Sequence, residues 1–273
     1  MSPNEKNMYV IPERLQDEAY SFVRVYLPQM AEEYEVTYEA MCNLKRYPIF
    51  NNWDVKSRDN KYTGYCLSRN DGLDISSDCM TSYFGAYGPV LDYIEKNDDF
   101  DIEYLLGLYR YIYHTIGNFI PLPEGCNAQT WGNDNYSYKL HEISILFKLF
   151  EGQKIKESEI TKSNRKAFST IIKMLPLDKT IPSGGRAKVA YWIKKDWIDQ
   201  KKGWNDFYNE LFFQDYVDDS GEVVSFYEGQ RFISKKMKDT KGVKNSINNT
   251  VDLIIKRGYR IKNKAMSQQT VDK

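Results

Sequence analysis

The sequence is poor in histidine and cysteine, the residues that hold structural zinc. It contains two histidines and four cysteines. The cysteines, Cys42, Cys66, Cys79 and Cys126, form no Cys-x-x-Cys pair. Tetrahedral zinc sites need thiolates and imidazoles clustered at short spacings. We therefore expect no metal centre and no cofactor.

Long apolar runs are also lacking. No stretch reaches the roughly eighteen apolar residues that a membrane-spanning helix needs. The first residues, from Met1 to Lys6, contain no apolar core of the signal-peptide kind. We therefore expect a cytoplasmic protein with no membrane partner. The motifs G-x-G-x-x-G, G-x-S-x-G and H-E-x-x-H are absent too, which argues against the kinases, dehydrogenases and hydrolases that depend on them.

The residues that are present are those of a globular protein. Hydrophobic residues make up 41% and charged residues 28% of the chain, a typical globular composition. Its 22 tyrosines raise the aromatic share to 15%. Tyrosine closes a core while its hydroxyl reaches a polar partner, so this abundance fits a helical protein with partly wet seams between its helices.

Hydrophobic spacing predicts a mainly α fold, of the α+β type. Apolar residues recur at three- and four-residue steps, which is typical of amphipathic helices. In the first third of the chain, aromatic β-prone runs at 47–55 and 61–67 predict a small hairpin. Ser77 or Asp78 is expected to cap a helix that begins at Cys79. The helical patterns cover residues 102–113, 164–175, 189–199, 204–217 and 247–257.

Charge divides the chain, although its net charge is zero. Residues 151–202 carry thirteen Lys and Arg against six Asp and Glu, and residues 231–264 carry eleven against two. We predict an acidic helical and β part at 1–150 and a basic helical part at 151–264, docked into one continuous fold. The polar segment 265–273 is expected to be disordered.

The stretch at 115–123 combines residues that turn the backbone. Gly117 frees the backbone where a helix ends, and Asn118 favours a turn. Pro121 and Pro123 keep the apolar piece between them off the helical path. These features predict a helix-to-strand corner near residues 115–123.

This corner also carries a family resemblance. T-I-G-N-F-I-P-L-P at 115–123, followed by Asn127 and Lys139, resembles the I-G-N-L-x-L-L-P…N…K segment of the HNH-type endonuclease domains of modification-dependent restriction enzymes. It also resembles the T-I-G-G-F-I-I-F-P-like segment of a bacterial family of unknown function. The S-S-D-S-I-like and F-F-L-L-Q-D-L-V-like segments of that family correspond to residues 76–80 and 212–217.

The nuclease resemblance implies a particular chemistry. In HNH nucleases the corner asparagine orients a histidine that activates water, while a metal ion stabilises the leaving oxygen. A rearranged site of this kind would use Asn118, Asn127 and His141, and only then Mg²⁺ or Mn²⁺. The nuclease histidine precedes the corner, however, and this chain has no histidine before His114. That absence favours a protein without catalysis.

Two groups of residues are candidates for phosphate binding. Backbone N–H groups at a glycine turn hold phosphate well when cations stand beside them. One candidate turn lacks the G-x-x-x-x-G-K-[ST] spacing, so an ordinary loop is the competing interpretation. The candidates are Gly184, Gly185, Arg186 and Lys188 at that turn, and Lys235, Lys236 and Lys241 in the second basic region.

These observations lead to two functional hypotheses. The first is a non-catalytic intracellular protein that contacts nucleic acid or a protein partner through its basic carboxy-terminal half. The alternative is a degenerate or rearranged HNH-like, metal-dependent nuclease of a phage-defence or toxin system. Both place the functional surface after the corner or at it.

Overall fold

The fold was analysed in a computed structural model, which describes residues 38–58, 64–74, 78–79, 100–113, 115–123, 136–156, 159, 162–175, 180–224 and 240–271. These residues form seven α-helices, short 3-10 turns and two small antiparallel sheets. The predicted mainly α fold with a small β-hairpin is therefore confirmed.

The hairpin follows the first described helix, α1 (Tyr38–Leu44). Its strands are β1 (Asp54–Arg58) and β2 (Gly64–Ser68), which pair antiparallel. The segment Pro48–Phe50, predicted to begin the first strand, is a 3-10 turn instead. Proline at its start has a helical φ and no N–H for a strand ladder, so a turn suits it better.

The second sheet contains the predicted corner. Helix α2 (Phe100–Ile112) leads to a 3-10 turn at Ile116–Asn118 and then directly to strand β4 (Phe119–Ile120). Its partner is β3 (Asp78–Cys79), with Asp78 opposite Ile120. The predicted cap at this point is wrong for Asp78, because this residue lies in a strand that pairs with the corner. Ser77 lies outside the described residues.

The remaining helices lie in the carboxy-terminal half or lead into it. The predicted helix at 204–217 is shorter than expected, because Phe212 adopts a left-handed φ of 61° and a 3-10 turn at Gln214–Tyr216 follows. These helices are α3 (Tyr136–Phe150), α4 (Lys162–Lys173), α5 (Gly185–Asp196), α6 (Trp204–Glu210) and α7 (Thr240–Val271).

Helix α7 also corrects the predicted disorder at 265–273 for residues 265–271, while residues 272 and 273 lie outside the described residues. The helix continues to Val271. Its buried side, which includes Ile254, is carried on by Gly258, Ile261 and Ala265 at three- and four-residue steps. Gly258 and Ala265 add little to the hydrophobic pattern of the sequence, so the predicted helix ended at residue 257.

One hydrophobic core spans both sides of residue 150. It includes residues from Met41 in α1 to Ile261 in α7. Its centre is aromatic, with ring centroids of Trp192 and Trp197 separated by 4.8 Å and those of Trp197 and Phe207 by 4.9 Å. Edge-to-face pairs at such distances are favourable beyond the area that they bury.

Helix α7 approaches the corner closely at Gly117. A Cβ atom added to Gly117 would lie 2.0 Å from the carbonyl oxygen of Ile254 and 3.1 Å from the backbone nitrogen of Gly258. Both obstacles are backbone atoms of α7 and cannot rotate away. The glycine is thus required for helix packing.

We expect Gly117→Ala to lower the free energy of unfolding by about 3 kcal/mol or more, because the clash forces α7 off the corner. Urea denaturation followed by circular dichroism measures this loss. Gly203→Ala is the matched control, since its added Cβ would meet only the flexible end of Glu151, at 2.9 Å. Equal losses in the two variants would contradict the proposed role of Gly117.

Candidate functional site

A fully buried arginine organises the predicted corner. The Arg257 side chain of α7 is 0% exposed. Its Nη1 donates to the carbonyl oxygens of Ile116, Gly117 and Phe119 at 3.2, 2.9 and 2.7 Å. Its Nε donates to the carbonyl of Leu211 at 2.9 Å. Charged hydrogen bonds of this kind offset the large cost of burying the guanidinium.

The Arg257 guanidinium also contacts an aromatic ring. The guanidinium carbon lies 3.9 Å from the centroid of the Phe213 ring, a cation–π contact. Burial lowers the pKa of Arg257 to about 10, so the side chain stays protonated at neutral pH. The corner's carbonyl groups therefore bind the protein's own cation.

Asn118, the first predicted catalytic residue, is a structural part of this corner. Its side chain is buried, and its amide nitrogen donates to the carbonyl oxygen of Tyr113 at 2.9 Å. The bond closes the turn between α2 and β4. An asparagine that orients a catalytic histidine would instead form a hydrogen bond with the imidazole.

His141, the second predicted catalytic residue, lies inside α3 and is only 5% exposed. Its Nε2 donates to the backbone carbonyl of Glu159 at 2.5 Å. Burial lowers the pKa of His141 to about 4, so the ring is neutral at physiological pH. Asn118 and His141 thus bond the backbones of different segments, and the third predicted residue, Asn127, lies outside the described residues.

The glycine turn forms the amino terminus of α5. Gly184 is exposed, with a φ of 99°, and stands at the N-cap without a side-chain cap, whereas Gly185 is buried. Lys188 is half-buried one turn into the helix. Of the other predicted phosphate ligands, Lys235 and Lys236 lie outside the described residues, as does the side chain of Lys241.

Arg186, the cation predicted to assist this turn, is engaged elsewhere. Its Nη2 lies 3.2 Å from a carboxylate oxygen of Glu142, whose side chain is buried in α3. Its guanidinium carbon also lies 5.3 Å from the centroid of the Phe168 ring in α4. One side chain therefore joins three helices, an arrangement that fixes how α4 sits on the core.

The outer side of α4 carries only cations among its charged residues. Its sequence contains basic residues and no acidic residue. Arg165, Lys166 and Lys173 are exposed, while Phe168 is buried. Among the residues that the structure describes, no carboxylate pairs with these three cations. We call Arg165, Lys166 and Lys173 the basic face of α4.

Many other described cations differ in this respect. Lys45 lies 2.8 Å from Asp54, and Lys202 lies 2.5 Å from Glu210. Lys194 pairs with Asp199. Exposed ion pairs contribute little to stability, but they neutralise the local field. The basic face of α4 therefore has a net positive charge, whereas each of these ion pairs is neutral.

A polar cleft of about 490 Å³ lies between the end of the hairpin and α5. Arg69, just after β2, bridges two carboxylates, with 2.8 Å to Asp71 and 2.5 Å to Asp196. The Tyr191 hydroxyl donates to Asp71 at 3.3 Å. Burial raises the pKa of the Asp196 carboxyl, with Asp71 adding to the effect against the opposing influence of Arg69. The rim of the cleft includes Asn52, Asn70 and Lys195.

Sequence reasoning missed this cleft. Arg69 and Asp196 are separated by 127 positions, and nothing in their spacing links them. The one local signal is the Arg-Asn-Asp-Gly turn at 69–72, where Asp71 accepts from the backbone N–H of Leu73. Asparagine and aspartate are common in such turns for structural reasons, so the pattern alone indicates no site.

Comparison with known proteins finds no family model, no curated protein and no solved structure that matches the chain. The resemblance to HNH-type endonucleases and to the bacterial family therefore stays a prediction. No helix within the described ranges is long and apolar enough to cross a membrane. Those ranges also contain no group of three or more His, Cys, Asp or Glu side chains placed to hold a metal ion.

The buried imidazole of His141 predicts a pH dependence of stability. Its folded pKa of about 4 lies below the ordinary value of 6.5, so the unfolded state binds more protons between these values. The contribution of His141 to the free energy of unfolding is then fully present above pH 6.5, and it is lost as the pH drops toward 4. This shift corresponds to about 3 kcal/mol.

His141→Gln tests this prediction, because glutamine keeps a donor for the Glu159 carbonyl but does not titrate. We expect its unfolding free energy to fall less steeply than that of the parent between pH 6.5 and 4. Urea titrations at several pH values provide the measurement. Parallel pH profiles for the two proteins would show that His141 does not carry the effect.

Proposed function

We propose that this protein binds nucleic acid without catalysis, through the basic face of α4. The observation that carries the proposal is the absence, in the described part of the chain, of any carboxylate paired with Arg165, Lys166 or Lys173. Nucleic-acid backbones bind such cations by exchanging them for condensed counterions. A face with cations alone favours that exchange.

The geometry of α4 suits contact with a row of phosphates. From Arg165 to Lys173 the helix rises about 12 Å. The three side chains share one side of the helix, because their positions fall within about 100° of each other around its axis. These contacts reach phosphates rather than base edges, so the proposal predicts affinity with little sequence preference.

A membrane surface fits this helix less well. Helices that bind membranes insert their apolar side below the lipid headgroups. The apolar side of α4 is already committed to the core, with Phe168 and Leu175 buried there. The outward side carries the basic face, and the exposed Met174 just after α4 adds an apolar side chain rather than an apolar face. Nucleic acid is a polyanion that binds through charge alone.

The proposed lack of catalysis is supported by the two described candidate residues. Asn118 and His141 are buried and donate to backbone carbonyls. A general base must reach the water that it activates, directly or through one further water. Both side chains instead stabilise the local fold, which leaves the nuclease alternative without a described catalytic group.

The triple variant Arg165→Gln/Lys166→Gln/Lys173→Gln tests the proposed surface. The parent should bind a short DNA duplex with an affinity that falls steeply between about 50 and 200 mM salt. Loss of three phosphate contacts should make the slope of log affinity against log salt less negative by about 3. Fluorescence anisotropy with labelled duplex, and with single-stranded RNA of equal length, measures both quantities.

The matched control is Lys45→Gln/Lys194→Gln/Lys202→Gln, which changes the net charge equally. These three cations are paired with Asp54, Asp199 and Glu210 in the structure. We expect the control to keep the affinity and salt slope of the parent. Equal losses in the two triple variants would mean that binding follows net charge, and no binding at low salt would exclude the nucleic-acid proposal.

Arg186 should act by positioning α4 rather than by contacting phosphate. Arg186→Lys keeps the charge but loses the planar fork and its contact with the Phe168 ring. We expect the melting temperature to fall by about 2–4 °C, the shift expected for about 1 kcal/mol in a chain of this size. The salt slope of nucleic-acid binding should stay unchanged.

Glu142→Gln distinguishes the two possible roles of Arg186, because each role predicts a different change in nucleic-acid affinity. If Arg186 binds phosphate, removing the competing carboxylate strengthens nucleic-acid binding. If Arg186 positions α4, the same change lowers the melting temperature and leaves affinity equal or weaker. A slope reduced by about 1 in Arg186→Met, together with tighter binding by Glu142→Gln, would assign Arg186 to the phosphate contacts.

A further inference from the structure

The cleft beside α5 has the size of a small-molecule site and a lining that is mostly polar. Its volume of about 490 Å³ lies within the range of ligand pockets, roughly 300–1,000 Å³. Polar groups converge on it from the turn after β2 and from α5, two segments far apart in the chain. It lies apart in sequence from the basic face of α4, so its function is a separate question.

The lining contains two cationic and two anionic side chains. Arg69 and Lys195 are cationic, and Asp71 and Asp196 are anionic. Asp71 and Asp196 share the single guanidinium of Arg69. Two carboxylates with one cation between them have an excess of one negative charge at this end of the cleft. A ligand ammonium placed there would complete the neutralisation.

Lys195 supplies the opposite charge at the rim. Its ammonium lies 5.8 Å from the centroid of the Tyr191 ring and 3.7 Å from a carboxylate oxygen of Asp199. Neither distance is that of a direct hydrogen bond. The side chain is about 29% exposed, and its flexible stem allows the ammonium to turn toward an anionic group in the cleft.

We propose that this cleft binds a small zwitterion of the α-amino-acid class, whose ammonium lies against Asp71 and Asp196 and whose carboxylate lies against Lys195. A zwitterion offers both charges, whereas a ligand with a single charge would leave one of these charged groups without its counterion. The Tyr191 hydroxyl, bonded to Asp71, fixes the carboxylate that receives the ammonium. Asn52 and Asn70 at the rim offer amides to the polar remainder of the ligand.

L-glutamine and two analogues test the proposal on the full chain. Glutaramate lacks the ammonium, and γ-aminobutyramide lacks the carboxylate. Saturation-transfer NMR detects binding, and isothermal titration calorimetry measures affinity. We expect L-glutamine to bind and each analogue to bind at least about tenfold more weakly, the loss expected for one charged hydrogen bond.

Two substitutions locate the two charges. Lys195→Met should weaken L-glutamine about tenfold and leave γ-aminobutyramide unchanged, because only the carboxylate contact is lost. Asp196→Asn should weaken both. Lys202→Met, at a lysine paired with Glu210, should change neither. Because Lys195 is partly exposed, its variant decides the question even if Asp196→Asn fails to fold.

Absence of saturation transfer from all three compounds overturns the proposal, as does equal binding of L-glutamine and its analogues. Binding of L-glutamine that is unchanged by Lys195→Met also overturns it. The basic face of α4 is intact in these variants, so nucleic-acid affinity should match the parent throughout. Either site can therefore fail its test without affecting the outcome at the other.

Discussion

The fold depends on a positive charge that has no carboxylate beside it among the described residues. Arg257 brings a guanidinium into the core, and backbone carbonyl groups of the corner, together with the carbonyl of Leu211, receive its hydrogen bonds. A buried cation is costly unless such bonds surround it. These hydrogen bonds hold α7, the corner and the end of α6 in one arrangement, because a shift of any of them would leave buried polar groups without partners.

The corner shows which parts of the fold local sequence determines. Glycine, asparagine and two prolines predicted a turn from helix to extended chain, and the structure has that turn at 116–120. The same residues also resembled a catalytic segment. The residue types do not distinguish a structural turn from a catalytic segment. An asparagine amide can orient a catalytic side chain or donate to a backbone carbonyl. The Gly117 contact with α7 involves residues that are distant in sequence, and periodicity does not report such contacts.

The surfaces differ in how far the sequence revealed them. The charge excess of residues 151–202 was plain from composition, and helical spacing is enough to gather Arg165, Lys166 and Lys173 on one side of α4. Whether a cation is already paired depends on the fold. The sequence did not show that Arg186 lies against Glu142, so Arg186 was predicted to bind phosphate. The cleft at Arg69 depends wholly on tertiary structure, since Tyr191 meets Asp71 across 120 positions.

The distance in sequence between the corner and Arg257 also determines which of them the ribosome makes first. Gly117 and Arg257 are 140 positions apart, so the ribosome completes the corner long before α7 exists. Until then the carbonyl groups of Ile116, Gly117 and Phe119 lack the hydrogen bonds that Arg257 donates to them. Contacts this distant in sequence also slow folding. The hydrogen bonds between the corner and Arg257 therefore form only after α7 has been synthesised.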